Sequence, residues 1–303
     1  MQRTLVIGAT GNIGREVVAQ LIANGVRVRA LSRNPDSANL PAQAEVVSGD
    51  LTIPATLDQP LDDVDAVFLV WTAPATAVAP ALMRIAGNVR RIVFLSAPHR
   101  TPHPFFQQPN PVATLHAEIE RLIEASGMHW TFLRPGMFAA NARIWWAAKI
   151  RAGETVRWPY ADAPTAPIHE RDIAAVAARV LCEQGHHGKD YVLTGPQSLT
   201  QFQQLSIIAE VIGRPLRFQK ISPEEARHEL LTMLPLPVIQ MLLNAWAAAI
   251  GQPAFVTSTV ADITGTPVRT FREWVIDHAA DFRQPDLQAK SPTNSGNFRP
   301  IRQ

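Results

Sequence analysis

The segment Leu5-Val6-Ile7-Gly8-Ala9-Thr10-Gly11-Asn12-Ile13-Gly14 carries the strongest structural signal in the sequence. Its first three residues form a short apolar run, as is typical of a strand buried on both faces. The run breaks at Gly8, and apolar residues then recur at helical spacing at Ile13, Val17, Val18, Leu21 and Ile22. A strand, a glycine-rich turn and a helix are therefore predicted to follow one another directly.

Each glycine of this turn has its own predicted role. Gly8 permits the sharp turn out of the strand, because a side chain there would meet forbidden backbone angles. Gly11 lets a pyrophosphate approach the main chain, and Gly14 lets the helix pack closely. The N-terminus of the helix supplies unpaired N–H groups and a partial positive charge. The pattern predicts dinucleotide binding; a merely structural glycine turn is the alternative.

Length and composition set the broad class of protein. A chain of 303 residues can form one large domain, or a large and a small one. The sequence has no apolar run near the roughly 20 residues that span a bilayer, and it enters a strand at once, without a secretory signal. A formal charge of +2 is too small to indicate a nucleic-acid surface. We therefore expect neither a membrane nor a nucleic acid as a partner.

Cys182 is the one cysteine of the sequence, which excludes an internal disulfide. A single thiol fits the reducing cytoplasm, and we expect the protein there. Because Cys182 ends an apolar helical run, it is predicted to be a small buried thiol.

The end of the second predicted strand, Val26 to Leu31, bears on the choice of cofactor. An acidic residue at this point holds the ribose 2′-hydroxyl in folds selective for NAD. Here Ser32 and Arg33 follow the strand, and Asp36 comes only after a proline. A hydroxyl and a guanidinium suit a 2′-phosphate. The sequence therefore favours NADP(H) over NAD(H), with a solvated loop arginine as the alternative.

The third and fourth predicted strands end at further candidate cofactor contacts. Asp50 is placed to accept a hydrogen bond from adenine, with Leu51 packed on the ring, or else to cap the next helix. Thr72 and Ala73 follow the fourth strand and should pass beside the cofactor at the carboxyl edge of the sheet.

Strands and helices alternate up to a sixth strand at His129 to Leu133. This rhythm predicts an α/β fold with a doubly wound parallel sheet, or Rossmann fold, and right-handed crossovers. We assign residues 1–140 to this domain, with a return of the chain through about 155–195. Residues 141–283 are predicted to form a smaller, mostly helical substrate-binding part, and residues 284–303 a disordered tail.

Helix start signals support the smaller part. Capping boxes pair a hydroxyl residue with a Gln or Glu three positions later, and the sequence has three, Thr200 with Gln203, Ser222 with Glu225 and Thr270 with Glu273. Asp172 is predicted to be the N-cap of the helix from Ile173 to Cys182.

Aromatic residues and histidines supply the candidate substrate contacts. The proline-rich loop from Pro98 to Pro111 should lie at the active edge, with His99 towards the substrate. It offers no further ligands beside its histidines, so no metal site is predicted. Phe138, Trp145 and Trp158 could wall a flat apolar pocket, although aromatic residues more often belong to a core.

The whole pattern resembles the atypical short-chain dehydrogenase/reductases, specifically the NmrA-like group, up to about residue 283. The resemblance rests on residues 8–14, 32–35, 49–51, 116–120, 126–136, 168–174 and 269–274. It implies NAD(P)H binding, through Gly8, Thr10, Gly11, Asn12, Ile13, Arg33, Asp50 and Thr72.

The resemblance is less specific about chemistry. The wider superfamily uses a Tyr-x-x-x-Lys pair on the helix after the fifth strand, where this chain has Val112 and His116. Ser96 keeps the hydroxyl position at the end of that strand. We therefore regard His116 and Ser96 as the candidate catalytic residues, with His116 orienting the ribose or substrate or acting as a general acid near neutral pH. A histidine that only packs is the alternative.

Three functions fit these observations. The first is an NADPH-dependent reductase of a quinone, imine or activated double bond, acceptors that need little protonation by a side chain. The second is an NADP(H)-sensing regulator without catalysis, and the third a non-redox isomerase or cyclase on the same scaffold. We favour the reductase, with an apolar or aromatic small-molecule substrate, as a monomer or homodimer.

Overall fold

A seven-stranded parallel sheet is the centre of the N-terminal part in the computed structural model, which describes residues 2–284. Its strands are β1 (Arg3–Ile7), β2 (Arg27–Ser32), β3 (Glu45–Ser48), β4 (Ala66–Val70), β5 (Arg91–Leu95), β6 (His129–Pro135) and β9 (Lys189–Leu193). Their order is β3-β2-β1-β4-β5-β6-β9, and every pairing is parallel. The chain builds outward from β1 to β3 and then crosses back to β4, which confirms the predicted doubly wound fold.

Helices cover both faces of this sheet. One face carries α1 (Asn12–Ala23), α6 (Glu170–Cys182) and α10 (Thr259–Thr264), and the other α2 (Asp58–Leu61), α3 (Val78–Asn88) and α4 (Pro111–Ala125). Apolar side chains of the strands are buried beneath both layers. This double covering explains why the strands read as continuous apolar runs in the sequence.

The remaining helices form the smaller C-terminal part. They are α5 (Asn141–Ala152), α7 (Gln201–Ile212), α8 (Pro223–Leu230), α9 (Leu236–Ala249) and α11 (Phe271–Asp277). Two short strand pairs join them, β7 (Val156–Trp158) with β11 (Phe218–Lys220) and β8 (Pro164–Thr165) with β10 (Leu199–Thr200). Their shared core contains four tryptophans in mutual ring contact, Trp145, Trp146, Trp158 and Trp246.

The helix starts agree only partly with the sequence signals. All three predicted capping boxes are formed. The prediction for Asp172 is wrong, because α6 begins at Glu170, three residues earlier than predicted, and His169 is its N-cap. Asp172 lies in the first turn and accepts a hydrogen bond from the backbone N–H of Arg269 at 2.9 Å. The starts of α9 and α10 were not predicted, because neither helix begins with a side-chain cap.

Two further expectations are tested by the described residues. Cys182 is exposed, not buried as expected, because it is the last residue of α6 and lies on the open side of the helix end. No helix between residues 2 and 284 is long and apolar enough to cross a membrane. The tail predicted for residues 284–303 lies, apart from Gln284, outside the described part of the chain.

Candidate functional site

A cleft of about 500 Å³ opens at the carboxyl ends of β1, β2 and β4. Parallel sheets of this topology bind ligands where the strand order reverses, here between β1 and β4. The cleft is lined by all twelve residues that the sequence predicts for the cofactor, Gly8, Thr10, Gly11, Asn12, Ile13, Gly14, Ser32, Arg33, Asp50, Leu51, Thr72 and Ala73. They come from four separate loops, and the sheet brings them to one place.

The glycine turn has the geometry that an anion-binding loop requires. Gly8 has a φ of +82°, a conformation that side chains rarely adopt. A Cβ atom on Gly14 would lie 2.1 Å from the carbonyl oxygen of Gly8, so only glycine fits there. Gly11 is the N-cap of α1, and no side chain caps the helix. The N–H groups of the first turn are therefore open to a ligand anion, and these residues fit a dinucleotide pyrophosphate.

The corner of the cleft after β2 holds the residues predicted to select the cofactor. The hydroxyl of Ser32 accepts a hydrogen bond from the backbone N–H of Asn34 at 3.1 Å. Arg33 is exposed at the cleft and has no hydrogen-bond or ion-pair partner among residues 2–284. Asp36 does not line the cleft. Arg33 is thus the cationic side chain at this corner of the cleft.

Asp50 lines the cleft where β3 ends. Its Oδ1 atom accepts hydrogen bonds from the backbone N–H and the hydroxyl of Thr52, each at 2.8 Å. These bonds lower the pKa of Asp50, so it is a carboxylate at neutral pH. It does not cap a helix, because the helical turn that follows begins at Pro54 with Ile53 as its N-cap.

A second cavity of about 310 Å³ adjoins the cofactor cleft. The two share three lining residues, Phe138, Asn141 and Ile144. The loops after β5 and β6 supply part of the wall of this second cavity. Helix α9 closes the cavity with Val238, Met241, Leu242 and Ala245. We call this space the apolar cavity, because its lining contains no Lys, Arg, Asp or Glu side chain.

The predicted substrate contacts separate into two groups. Phe138 and Trp145 line the apolar cavity, whereas His99 and Trp158 do not. Trp158 is only 3% exposed, and its indole N–H donates to Gln201 inside the C-terminal core. The sequence could not separate Trp145 from Trp158, since aromatic character alone does not show which side of a core a ring faces.

His99 turns away from the apolar cavity. Its Nδ1 atom lies 2.9 Å from the carbonyl oxygen of Ala97, and its Nε2 atom lies 3.4 Å from a carboxylate oxygen of Glu120. Glu120 is completely buried and accepts two hydrogen bonds from Arg134, at 2.9 and 2.8 Å. Arg134 also donates to Asp190 at 2.7 Å. Arg134 is a charged residue in the otherwise largely apolar strand β6, and this charge was the sequence feature that could have indicated the network.

The two candidate catalytic residues, Ser96 and His116, both line the apolar cavity. The Ser96 hydroxyl and the Nδ1 atom of His116 are buried without a hydrogen-bond partner among the described residues. Burial lowers the pKa of His116 to about 4, against the opposing effect of Glu120. The imidazole is thus neutral near pH 7, and a catalytic role of His116 stays a prediction. Neither residue reaches the cofactor cleft.

Sequence reasoning missed several lining residues. Asn141 and Ile144 belong to α5, whose amphipathic pattern is weak. Which side of α9 faces the cavity depends on how α9 packs, so the sequence does not indicate it. Glu170 lines the cofactor cleft and accepts hydrogen bonds from Trp274 at 2.8 Å and His278 at 2.7 Å. Burial raises the pKa of Glu170, but hydrogen bonds from His169 and His278 outweigh it and the pKa is lowered. Glu170 therefore ties the C-terminal part to the cleft as a carboxylate.

Within residues 2–284 no three His, Cys, Asp or Glu side chains are grouped so that they could hold a metal ion.

Known proteins are similar in sequence to this chain over most of its length. A family model described as NAD(P)H-binding matches residues 8–184. The (4-alkanoyl-5-oxo-2,5-dihydrofuran-3-yl)methyl phosphate reductase of Streptomyces griseus subsp. griseus is 38% identical over 285 residues, covering 92% of this chain and 98% of the relative. The NAD(P)H azoreductase of Xenophilus azovorans is 33% identical over 288 residues, with coverage of 92% and 98%.

A solved structure agrees with these relatives. The NADPH-dependent quinone oxidoreductase of Escherichia coli in complex with NADPH matches with a TM-score of 0.75 and 26% identity, over 91% of this chain and 99% of that chain. The family match, the two relatives and the twelve-residue cleft agree with the resemblance read from the sequence. The chain therefore belongs to the NAD(P)H-binding, NmrA-like group of atypical short-chain dehydrogenase/reductases, a group that includes NAD(P)H-dependent reductases.

Proposed function

We propose that this protein is an NADPH-dependent reductase of flat, uncharged, electron-poor small molecules such as quinones, azo compounds, imines or activated double bonds. The observation that carries the proposal is the common wall of the two cavities. Phe138, Asn141 and Ile144 line both, so the apolar cavity lies beside the cofactor cleft, and we propose that the two ligands meet at this boundary. Direct contact between the two ligands is the geometric requirement for reduction by a nicotinamide.

In this proposal, different cleft residues bind different parts of the cofactor. The open N–H groups at Asn12 and Ile13 hold the pyrophosphate. Arg33 and Ser32 bind the 2′-phosphate, which selects NADPH, and Leu51 packs against the adenine. When bound, a reduced nicotinamide supplies a hydride to an electron-poor acceptor.

The lining of the apolar cavity supports the substrate class. An ionised group would lose its hydration there without meeting an opposite charge, which is costly. The named relatives act on a dihydrofuranone phosphate, azo compounds and a quinone, all conjugated acceptors. Because no cationic side chain lines this cavity, we propose that uncharged acceptors are preferred to phosphorylated ones.

The existence of the apolar cavity also weighs against a pure sensor of NADP(H). A sensor needs the cofactor cleft alone, whereas a cavity of about 310 Å³ beside it has room for a second small molecule. Nothing in the described site favours an isomerase or cyclase over a reductase.

The test is the loss of NADPH absorbance in the presence of a panel of quinones, azo dyes, imines and unsaturated lactones. We expect turnover with at least one uncharged acceptor. A Gly14→Ala variant serves as the cofactor-binding control and should show no turnover, because its new methyl group collides with the Gly8 carbonyl. Tight NADPH binding without turnover of any acceptor would replace the reductase with the sensor.

A further inference from the structure

The first turn of α5 places one polar side chain, Asn141, at the boundary between the cofactor cleft and the apolar cavity. The other two residues shared by both spaces, Phe138 and Ile144, are apolar. Among the residues that the structure describes, Asn141 is therefore the one polar side chain that can contact a cofactor and a substrate together.

The other amides of the apolar cavity are already engaged. The side-chain N–H of Gln108 donates to the carbonyl oxygen of Pro104 at 3.1 Å. The side-chain oxygen of Asn110 accepts from the backbone N–H of Ala113 at 3.0 Å and caps α4. Both groups serve the protein's own structure.

Asn141 differs from these residues and from the two candidate catalytic residues. Its side-chain amide has no hydrogen-bond partner among residues 2–284, and it is half-buried. Ser96 and His116 are also without partners, but they line the apolar cavity only. The substrate atom that accepts a hydride lies nearest the cofactor. A hydrogen-bond donor to the substrate oxygen or nitrogen conjugated with that atom must therefore lie at the boundary between the cofactor cleft and the apolar cavity.

The backbone holds Asn141 in place. Its N–H donates to the carbonyl oxygen of Phe138 at 3.2 Å at the start of α5. The next turns of the helix are anchored in the C-terminal core through Ala142 and Trp146, which are 2% and 0% exposed. A hydrogen-bond donor fixed in this way needs little rearrangement when the substrate binds. Such preorganisation is the condition for stabilising negative charge as it develops.

We propose that the Asn141 amide donates a hydrogen bond to the oxygen or nitrogen of the substrate that becomes negative during reduction. This inference rests on the proposed reductase function and supplies the charge stabilisation that a chain without the Tyr-x-x-x-Lys pair still needs. The acceptor takes up one hydride, that is two electrons and one proton, which the reduced nicotinamide would supply, and the second proton that completes its reduction comes from water. Asn141 itself does not ionise, so its contribution is independent of pH.

The test compares Asn141→Leu, which keeps the approximate size but removes the amide, with Asn88→Leu. Asn88 lies exposed on α3, so the control makes the same chemical change at a site that lines neither cavity. We expect kcat/KM for a quinone to fall about 10- to 100-fold in Asn141→Leu, mainly in kcat. This is less than the roughly 100- to 1000-fold loss for an enclosed oxyanion donor, because Asn141 is only half-buried. The dissociation constant of NADPH should change less than about twofold.

A binding measurement tests the same hydrogen bond without turnover. The probe is 4-nitrophenol bound to the NADP⁺-loaded protein, with its ionised form followed by absorbance. The pKa of the bound phenol should be about one unit higher in Asn141→Leu than in the wild type, which corresponds to the tenfold effect on rate. The Asn88→Leu variant should match the wild type in both measurements.

The outcomes are distinguishable. Equal phenol pKa values in the wild type and Asn141→Leu would overturn the role of Asn141, even if the wild type reduces quinones. A phenol pKa that rises in Asn141→Leu, in a protein without turnover of any acceptor, would support the hydrogen bond and refute the reductase proposal.

Discussion

Arg33→Ala should convert a preference for NADPH into near-equal affinity for NADPH and NADH. Arg33 is exposed at the cleft and has no hydrogen-bond or ion-pair partner among residues 2–284, so its removal breaks no ion pair of the protein. The folded structure should therefore be unaffected. The variant also removes the charge interaction of Arg33 with Asp50, which both nucleotides meet, so the difference between NADPH and NADH reports the 2′-phosphate.

The expected magnitude follows from the exposure of Arg33. A ribose phosphate carries about 1.5 to 2 negative charges at neutral pH. Because water surrounds the guanidinium, each charge at about 4 Å contributes about 1 kcal/mol. The loss of about 1.5 to 2 kcal/mol corresponds to a roughly 10- to 30-fold weaker Kd for NADPH. NADH lacks the phosphate, so its Kd should not change.

Calorimetric titration of both nucleotides into both proteins measures these four constants. Arg90→Ala is the matched control, because Arg90 is exposed and precedes β5 at the amino ends of the strands, opposite the cleft. The difference between wild type and Arg33→Ala should shrink as salt is raised to 1 M, where the screening length is about 3 Å. An equal loss of affinity for NADH and NADPH would refute the assignment of Arg33 to the 2′-phosphate.

Two further predictions concern the charges beneath the apolar cavity. Glu120→Gln breaks a completely buried ion pair and should lower the free energy of unfolding by about 3–5 kcal/mol, measured in urea. Glu118→Gln, whose exposed carboxylate faces Arg121 on the same helix, should leave the urea midpoint almost unchanged. The pKa of His116 is about 4 in the folded protein and 6.5 in the unfolded chain. Between these pH values the unfolded chain therefore binds a proton on His116 that the folded protein does not. The free energy of unfolding should therefore fall as the pH falls from 6.5 to 4; an equally steep fall in His116→Gln would contradict this cause.

The cofactor side of the site could be predicted because its signals are local. A glycine turn between a strand and a helix specifies its own backbone, and residues directly after parallel strands meet at one edge of the sheet. Arg33, Asp50 and Thr72 could therefore be placed in one cleft without knowledge of any long-range contact. The capping boxes were recognisable for the same reason, since three or four adjacent residues form them completely.

The substrate side depended on tertiary structure. Asn141 lies in the cavity wall because the C-terminal core fixes α5 beside the sheet, and α9 closes that wall from about 100 residues further along the chain. Trp145 and Trp158 are both buried tryptophans of the same core, yet packing places Trp145 on the cavity wall and Trp158 away from it.

By itself, then, the sequence determined the parallel sheet, the glycine turn and the identity of the cofactor-lining loops, since neighbouring residues encode backbone shape and strand-end position. Only the tertiary structure decided which side chains line the apolar cavity and that the Nδ1 atom of His116 is buried and its imidazole neutral. Those properties depend on the distance between elements remote in the chain, which no local pattern records.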